Sequence, residues 1–393
     1  MRTAGIVAEY NPFHSGHQYH IAQTRARLGA DTAVVCVMSG SFVQRGEAAI
    51  ADKWARAEMA LRSGADLVLE LPLTAALSSA EGFARGAVQT LAAAGVTDVL
   101  SFGCESGALE PLQAVADCLN SPAFSDVLRG ELRGGIPFAA ARERAVEALL
   151  GREAAAPLRR PNDILAIEYL RALPGTGMTP LAVRRQGAAH DGTAEESEYP
   201  SAAALRARLM KEETPPAGWM PPASLAVWER ECLAGRAPVD IERGQRGILA
   251  LLRTRTREDF AALPDSGGGL ADRLYRASRE AGSWQELLEL AGTKHYTNAR
   301  IRRLFLRAAL DLREQTLPPW LRLLGSNARG RMLLARMRDD LPILTKPSHV
   351  RRMGPEAEAA FSADLRAADL YGLCMPVVTP GSREWRTSPV TLE

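Results

Sequence analysis

Short, continuous apolar runs alternate with longer segments of helical periodicity through the first half of the chain. Apolar runs bounded by glycine, proline or polar residues are typical of strands that are buried on both faces of a sheet. The predicted strands are 6–8, 32–38, 66–72, 97–103 and 180–187. The predicted helices are 17–28, 52–63 and 79–94, and helical signal continues over 109–173. Repeated strand–helix units of this length predict an α/β fold, a Rossmann-like domain with a doubly wound parallel sheet.

A proline-rich stretch at 212–222, EETPPAGWMPP, interrupts this alternation. Prolines favour extended backbone, which is typical of a boundary between domains. Residues 223–365 are rich in leucine, alanine and arginine and are predicted to be mostly helical. Because 393 residues exceed what one core usually organises, we expect an α/β domain over 1–212 and a mostly α-helical region over 223–393.

The formal net charge is only +2, so the overall charge does not demand a nucleic-acid partner, and any basic patch must be local. Five scattered cysteines without a C-x-x-C pair argue against a disulfide framework and a cysteine-based zinc site. The N-terminus lacks the features of a signal peptide, and no apolar stretch in the sequence reaches the length of a membrane span. We therefore expect a cytoplasmic protein without a membrane partner.

The segment EYNPFHSGHQYH, residues 9–20, places three histidines directly after the first predicted strand. Three kinds of site compete for His14, His17 and His20: a metal site, a packed helix face, or a cradle for a phosphate under attack. Histidines at a spacing of three share a helix face and could bind zinc. No Asp, Glu or Cys follows at ligand spacing, however, and zinc binding leaves Gly16 unexplained. Packing of all three rings is disfavoured because histidine has only an intermediate preference for burial. No metal site is predicted.

The phosphate interpretation accounts for the whole pattern. A strand that leads through a glycine turn into a helix offers free backbone N–H groups and the positive end of a helix dipole. Histidine side chains add N–H donors, and Gly16 lets a nucleotide approach the backbone. His-x-Gly-His between a strand and a helix is typical of nucleotidyltransferases that attack an α-phosphate and release pyrophosphate. We therefore predict that His14 and His17 are catalytic.

Two further segments fit the same chemistry. SAAALR, residues 201–206, matches the second motif of such enzymes: Ser201 can cap a helix and contact a phosphate, and Arg206 can reach the β and γ oxygens. In the polar loop after the second strand, Arg45 is predicted to neutralise a substrate carboxylate or phosphate. Lys53 and Arg56 fit either substrate binding or the solvent-exposed face of a helix.

Five segments together resemble the tRNA(Met) cytidine acetate ligase family: GIVAEYNPFHSGHQYHI, SGSFVQRGEAAIADKWARAEMAL, GADLVLELP, RPNDILAIEYL and KHYTNARIRRLFL. The resemblance runs through most of the chain and implies a nucleotidyltransferase domain followed by a helical RNA-binding region. It implies that ATP activates acetate to acetyl-adenylate, with release of pyrophosphate and with Mg²⁺ on the phosphates. The acetyl group then passes to N4 of the wobble cytidine, position 34, of elongator tRNA(Met), and acetyl-CoA is not used.

The resemblance also implies which residues contact ATP. These are Val7, Ala8, Glu9, Tyr10, Asn11, Pro12, Phe13, His14, Ser15, Gly16, His17, Gln18, Tyr19, His20, Gly103, Asn162, Arg185 and Gln186. The chain departs from the family pattern at Gln186, where an aliphatic residue is usual, and at Ser41, where we expect asparagine. The tyrosine that usually precedes the position of His190 is also missing.

Basic residues cluster in the second half of the chain. The first cluster supplies the predicted tRNA contacts, in which a stacking tyrosine accompanies four cations: Lys294, Tyr296, Arg300, Arg302 and Arg303. Further cations follow at Arg329, Arg331, Arg336, Arg338, Lys346, Arg351 and Arg352. Arginine-rich helices in which most charges pair with Asp or Glu are the alternative to an RNA surface.

Two other functions remain as alternatives. One is a small-molecule nucleotidyltransferase of coenzyme metabolism, which would not need the basic helices. The other is an RNA-binding protein whose nucleotide site has lapsed, which would not need His14, Gly16 and His17 to be intact. The sequence makes no prediction of the oligomeric state.

Overall fold

The computed structural model describes residues 1–186, 201–313, 316–337 and 341–393. Its centre is an eight-stranded sheet with helices on both faces, accompanied by a two-stranded hairpin. The strands are β1 (Thr3–Ala8), β2 (Ala33–Ser39), β3 (Phe42–Val43), β4 (Glu47–Ala48), β5 (Leu67–Leu71), β6 (Val99–Cys104), β7 (Thr179–Arg184), β8 (Leu321–Ser326), β9 (Ile343–Leu344) and β10 (Val390–Thr391).

The strand order in the sheet is β10-β8-β5-β2-β1-β6-β7, and β9 pairs with β8. Strands β5, β2, β1, β6 and β7 are mutually parallel. The chain builds outward from β1 in one direction through β2 and β5, and then in the other through β6 and β7. The order therefore reverses between β1 and β6, and in open α/β sheets ligands bind at the carboxyl ends of the strands beside such a reversal.

Helices account for most of the remaining described residues. In the first part of the chain they are α1 (Ser15–Leu28), α2 (Lys53–Arg62), α3 (Leu73–Ala76), α4 (Ala80–Ala94), α5 (Leu109–Leu119), α6 (Pro122–Arg133), α7 (Phe138–Leu150), α8 (Arg152–Ala155), α9 (Pro161–Ala172) and α10 (Ala202–Met210). In the second part they are α11 (Pro222–Leu233), α12 (Gln245–Arg253), α13 (Arg257–Ala261), α14 (Leu270–Glu280), α15 (Trp284–Ala291), α16 (Asn298–Leu310), α17 (Ala328–Leu334), α18 (Pro355–Gly372) and α19 (Arg383–Arg386). Short 3-10 helices span Ala156–Arg159 and Pro347–Arg352.

Buried apolar side chains explain the layered arrangement. Every residue of β2 is buried, as its continuous apolar sequence predicts for a central strand. One core lies between the sheet and helices that include α4, α5 and α9, and a second covers the other face through α2. A third core joins α12–α16 to the hairpin residues Phe42 and Val43. The helical region is therefore packed directly onto loops at the carboxyl edge of the sheet.

The α/β fold with a mostly helical second part is confirmed. The second part also contributes strands to the sheet: β8 pairs antiparallel with β5, and β9 and β10 pair with β8. The division into 1–212 and 223–393 stays a prediction. Across the described residues, no helix has both the length and the apolar character needed to cross a bilayer.

Candidate nucleotide site

The predicted site residues of the first motif lie at the reversal of strand order. Strand β1 ends at Ala8, a loop over 9–14 follows, and α1 begins at Ser15. Strands β6 and β7 end beside this loop at Cys104 and Arg184. The fold therefore brings Gly103 and Arg185 to the same edge of the sheet as His14.

His14 and His17 together cap the N-terminal end of α1. His14 is the N-cap of α1, and its Nδ1 accepts a hydrogen bond from the Gly16 N–H at 3.0 Å. The His14 N–H in turn donates to His17 Nδ1 at 3.1 Å, which completes a capping box. The two ring centroids are 3.7 Å apart. Both Nδ1 atoms are thus acceptors.

The protonation of these rings follows from their burial. Desolvation, with the charges of Arg185 and Arg206, lowers the pKa of His14 to about 3. Desolvation, with His14 and Arg185 nearby, also lowers the pKa of His17 well below its usual value. A neutral imidazole that accepts at Nδ1 carries its proton on Nε2. Among the residues that the structure describes, neither Nε2 has a hydrogen-bond partner, so each can donate to a ligand.

The backbone N–H groups at the start of α1 are not free, which corrects the expectation from sequence. The Ser15 N–H donates to the Trp219 carbonyl at 3.0 Å, and the Ser15 hydroxyl donates to the same oxygen at 3.1 Å. The Gly16 N–H is occupied by His14. Because the cap consumes these donors, the site offers a phosphate the histidine side chains rather than the helix amides.

Other residues of the predicted ATP segment hold the loop in place. Tyr10 is buried with a φ of 44°, its hydroxyl contacts Cys36 Sγ at 3.2 Å, and its ring meets that of His17 edge-on at 4.9 Å. Asn11 Oδ1 accepts from the Ile50 N–H at 2.7 Å. The remaining members differ in exposure: Pro12 and Phe13 are buried, Val7, Ala8 and Tyr19 are half-buried, and Gln18 is exposed.

His20 has a different environment from the other two histidines. Its Nε2 contacts the Ser101 hydroxyl of β6 at 3.0 Å, and Thr24 joins the same group at 2.7 Å. Desolvation and the charges of Arg185 and Arg27 lower the pKa of His20 to about 4. The ring anchors α1 to the sheet.

Three arginines surround the histidine pair with positive charge. Arg206, on α10, donates to the Asn11 carbonyl at 2.9 Å, and Ser201 caps that helix by accepting from the Ala204 N–H at 3.1 Å. Arg185 lies against Gly103, where a Cβ would come within 3.3 Å of the arginine side chain. Burial lowers the pKa of Arg206, and the exposed Arg45 lies close enough to add to that shift.

Glu9 links the first motif to the loop that carries Arg45. Its Oε1 accepts from the Gln44 N–H at 2.9 Å. Burial raises the pKa of the Glu9 carboxyl, and the Gln44 hydrogen bond and the charges of Arg206, Arg45 and Arg56 oppose that rise. The hairpin loop over 44–46 is therefore attached to the edge of the site.

The opposite wall is shaped by two carboxylates. Glu105 accepts from the Asn162 side chain at 2.6 Å, which orients the predicted ATP-contacting amide. Asp163 is fully buried and accepts from the Glu105 N–H at 2.7 Å and the Ser106 N–H at 3.1 Å. Gln186 is exposed beside this wall. The segment that contains His190 lies outside the described residues.

Sequence reasoning missed the roles of Lys53 and Arg56, since neither lies on a solvent-exposed face. Arg56 is fully buried and donates to backbone carbonyls at the ends of β1 and β2, including Glu9 at 2.6 Å and Ser39 at 3.0 Å. Lys53 contacts the carboxylates of Glu70 and Glu384 at 2.8 and 3.0 Å. Both residues act by holding loops and elements together.

The predicted tRNA residues lie on and before α16. Lys294 is exposed, and Arg300 stacks on Tyr296 at 4.8 Å. Arg302 pairs with Glu47 at 2.6 Å, and Arg303 donates to the Gln44 carbonyl at 2.9 Å. Two of the predicted contacts therefore bind the hairpin.

The basic residues between Arg329 and Arg352 differ in their surroundings. Some members have partners within the chain: Arg329 lies 3.9 Å from Asp66, Arg331 donates to the Leu392 carbonyl at 2.8 Å, and Arg351 stacks on Trp385. Arg338 lies outside the described residues.

The described parts of the chain contain no group of three or more His, Cys, Asp or Glu side chains that could hold a metal ion. At the edges of the site, Glu9 Oε1 already accepts from Gln44, and Glu105 Oε1 already accepts from Asn162. The donors that remain are imidazole N–H and guanidinium groups, which suit phosphate oxygens.

Comparison with known proteins agrees with this geometry. The family model for HIGH nucleotidyl transferases matches residues 1–384. The chain is 41% identical to the tRNA(Met) cytidine acetate ligase of Syntrophotalea carbinolica, over 98% of this chain and 97% of that protein. It is 36% identical to the enzyme of the same name from Caldanaerobacter subterraneus, over 95% of each chain.

Solved structures are similar along the whole chain. Apo TmcAL from Thermotoga maritima superposes with a TM-score of 0.91 at 34% identity, covering all of both chains. The same protein bound with alpha-thio ATP gives a TM-score of 0.90 at 33% identity, again with full coverage. The histidine pair at the head of α1, the parallel sheet and these full-length likenesses lead to one conclusion: the chain belongs to the tRNA(Met) cytidine acetate ligases, tRNA-modifying enzymes of the HIGH nucleotidyl transferase family.

Proposed function

We propose that this protein activates acetate with ATP and transfers the acetyl group to N4 of the wobble cytidine, position 34, of elongator tRNA(Met), in the cytoplasm. The observation that carries the proposal is the pair of neutral imidazoles at the head of α1, each with Nε2 available for donation. The name of the relatives and the alpha-thio ATP bound to the Thermotoga maritima protein support the choice of substrates.

In the first step, an acetate oxygen attacks the α-phosphorus of ATP. The new O–P bond forms as the bond to the β-phosphate oxygen breaks, which gives acetyl-adenylate and pyrophosphate. Negative charge builds up on the oxygens of the α-phosphate in the transition state. His14 and His17 stabilise that charge through their Nε2–H groups, and because both rings are already fixed by the capping box, no reorganisation is needed.

Three arginines bind the other negatively charged parts of the substrates. Arg206 lies beside the loop over 9–14 and neutralises the β and γ oxygens, helped by Ser201 at the start of the same helix. Arg185 covers the nucleotide beside Gly103, and Asn162 is held ready by Glu105. Arg45 is the exposed cation at the mouth of the site and receives the acetate carboxylate.

In the second step, N4 of the cytidine attacks the carbonyl carbon of acetyl-adenylate. The carbon–oxygen bond to the phosphate breaks, AMP leaves, and N4 loses one proton. Acetyl-adenylate hydrolyses in water, so the intermediate must be shielded until the cytidine arrives. Mg²⁺, which the family resemblance implies, would neutralise negative charge on the phosphates of ATP.

Two measurements test this function. The purified protein should release pyrophosphate from ATP only when acetate is present, with no RNA required. Elongator tRNA(Met) incubated with the protein, ATP and isotopically labelled acetate should gain one labelled acetyl group, located by mass spectrometry at position 34. Turnover that needs a phosphorylated small molecule instead of acetate would point to a coenzyme nucleotidyltransferase, and tRNA binding without ATP turnover would point to a lapsed site.

A further inference from the structure

A cleft on the far side of the hairpin loop has no role in the chemistry described above. It is lined by Leu77, Ser78, Pro264, Asp265, Leu304 and three arginines of α16. It is partly open to solvent.

The three arginines are Arg300, Arg303 and Arg307, which share one face of α16 because they are three and four positions apart. Arg302 points elsewhere and pairs with Glu47. The helical phase therefore separates the basic residues of this helix into two sets, and only one set faces the cleft.

The cleft has more positive than negative charge. Asp265 is the one carboxylate among its lining residues, against three guanidinium groups. Arg300 donates to the backbone carbonyl of Asp265, and Arg303 donates to that of Gln44. Arg307 is buried at the inner end of the row and donates to the backbone carbonyls of Thr74 and Leu77. Among the described parts of the chain, no ion pair joins Arg300 or Arg303 to a carboxylate at bonding distance. Guanidinium groups in this arrangement match the geometry of phosphate oxygens.

The guanidinium groups are also poorly solvated. Burial, with repulsion from the neighbouring arginines, lowers the pKa of Arg303 and of Arg307 to about 10, although Asp265 opposes the shift. Both groups stay charged at neutral pH, so like charges are held close together away from water. An anion bound between them would relieve that repulsion.

One residue, Gln44, connects the cleft with the nucleotide site. Gln44 accepts from Arg303 through its carbonyl and donates to Glu9 through its N–H. One arginine of the cleft thus contacts the loop over 44–46 that carries Arg45. Tyr296, stacked on Arg300, and the exposed Lys294 extend the basic surface outward from the cleft.

We propose that Arg300, Arg303 and Arg307 form a site for one backbone phosphate of the RNA substrate, which fixes the position of that substrate relative to the adenylate. The proposal rests on the proposed function and deepens it. A free inorganic phosphate has the same chemistry, but the continuity with Tyr296 and Lys294 favours a phosphate within a longer RNA chain.

The test compares the tRNA affinity of Arg300→Gln with that of the parent protein over a range of salt concentrations. Each phosphate contact contributes about 0.8 to the slope of log affinity against log salt. We expect Arg300→Gln to raise the Kd about tenfold and to reduce the slope by about 0.8, with Arg300→Lys intermediate. Arg129→Gln, which removes the same charge from an exposed ion pair on α6, should match the parent.

Several results would overturn the proposal. An unchanged Kd and slope in Arg300→Gln would do so, and so would equal losses in Arg300→Gln and Arg129→Gln. Calorimetric titration with inorganic phosphate is the second arm: phosphate binding that Arg300→Gln removes while the tRNA affinity stays unchanged would assign the cleft to a free anion. Thermal unfolding of each variant shows that the fold is intact.

The proposed function is checked separately in the same preparations. If the parent protein releases no pyrophosphate in response to acetate, the proposed adenylation is wrong whatever the cleft binds. If the parent adenylates acetate and acetylates tRNA while Arg300→Gln binds tRNA normally, only the phosphate site is wrong.

Discussion

At the level of single residues, His14 both caps α1 and, in the proposed reaction, donates from Nε2 to the α-phosphate. The two contributions can be separated because asparagine is also a good N-cap. His14→Asn keeps an acceptor for the Gly16 N–H but has no donor at the Nε2 position. His14→Ala loses both.

We predict that His14→Asn and His14→Ala both lower the rate of acetyl-adenylate formation by roughly 10²–10³-fold, the usual cost of one transition-state donor. His14→Ala should also lose about 1 kcal/mol of unfolding free energy, and His14→Asn should lose much less. Pyrophosphate release and urea unfolding measure the two effects. If His14→Asn formed adenylate at the parent rate, the donor role of Nε2 would be wrong.

The depressed pKa values of the histidines predict how stability depends on pH. The folded protein keeps His14 neutral down to about pH 3 and His20 down to about pH 4, whereas an unfolded histidine protonates near pH 6.5. Below pH 6.5 the unfolded state therefore binds more protons, so the unfolding free energy falls as the pH falls. Each ring contributes up to roughly 1.4 kcal/mol per pH unit.

Urea unfolding at pH values from 7.5 down to 5 measures this dependence. His14→Asn removes one titrating ring, so its unfolding free energy should fall less steeply than that of the parent protein. Equal pH dependence in the two proteins would contradict the burial of a neutral His14.

Residue types and spacing predicted site roles for the histidine pair, Arg206 and Arg45; the structure brings these side chains close together, and their roles stay predictions. Residue types and spacing could not reveal Arg56, since its partners are backbone carbonyls of Glu9 and Ser39, and a carbonyl carries no signal in the residue type. The hydrogen bond from the Gln44 N–H to Glu9 could not be predicted for the same reason. The same limit applies to the Ser15 N–H at the start of α1, which donates to the distant Trp219 carbonyl.

At the level of elements, the hairpin of β3 and β4 connects the nucleotide site with α16. Gly46 in its turn has a φ of 70°, and a Cβ there would come within 2.6 Å of the Arg303 backbone nitrogen. Both the backbone angle and the close approach require glycine. The hairpin can keep its position between Glu9 and Arg303 only while this contact is preserved.

We predict that Gly46→Ala lowers the unfolding free energy by about 2–4 kcal/mol, since it adds a steric clash to the cost of the backbone angle. Gly135→Ala is the matched control, because its φ is 71° and nothing lies within 4 Å of the added Cβ. The control should lose only about 1 kcal/mol. Urea unfolding measures both variants. If they lost similar amounts of unfolding free energy, the packing of the hairpin on α16 would not contribute to stability.

The parallel strands could be predicted because each is a continuous apolar run followed by a helix. Strand β8 could not. Its sequence, LRLLGS, has the leucine and arginine content of the helices around it, and its pairing with β5 is a contact between distant parts of the chain. Local propensity does not report such pairing.

At the level of the whole molecule, a buried charge network joins the N-terminal part of the chain to its C-terminal part. Lys53 contacts Glu70 and Glu384, and Arg322 contacts the same Glu384 oxygen at 3.0 Å. Asp364 lies beside them, and burial together with the charge of Glu70 raises its pKa to about 8. The last helix, α19, is thereby fixed to the start of α2.

We predict that Glu384→Ala lowers the unfolding free energy by about 3–5 kcal/mol, because it leaves Lys53 and Arg322 buried with one carboxylate fewer. Glu356→Ala, an exposed residue at the start of α18, should change it by less than about 0.5 kcal/mol. Thermal and urea unfolding of the full chain measure both. If Glu384→Ala lost no more unfolding free energy than Glu356→Ala, the charge network would not stabilise the contact between α19 and α2.

The central claim is that the histidine pair serves an attack of acetate on the α-phosphorus of ATP, and the fate of the acetate oxygen tests it most directly. The protein is incubated with ATP, tRNA(Met) and acetate labelled with ¹⁸O in both carboxylate positions, and the AMP is analysed by mass spectrometry. The account predicts AMP that carries one ¹⁸O atom, because the oxygen that formed the O–P bond stays on phosphorus when the acetyl group leaves. Unlabelled AMP, or ¹⁸O recovered in pyrophosphate or inorganic phosphate, would contradict it.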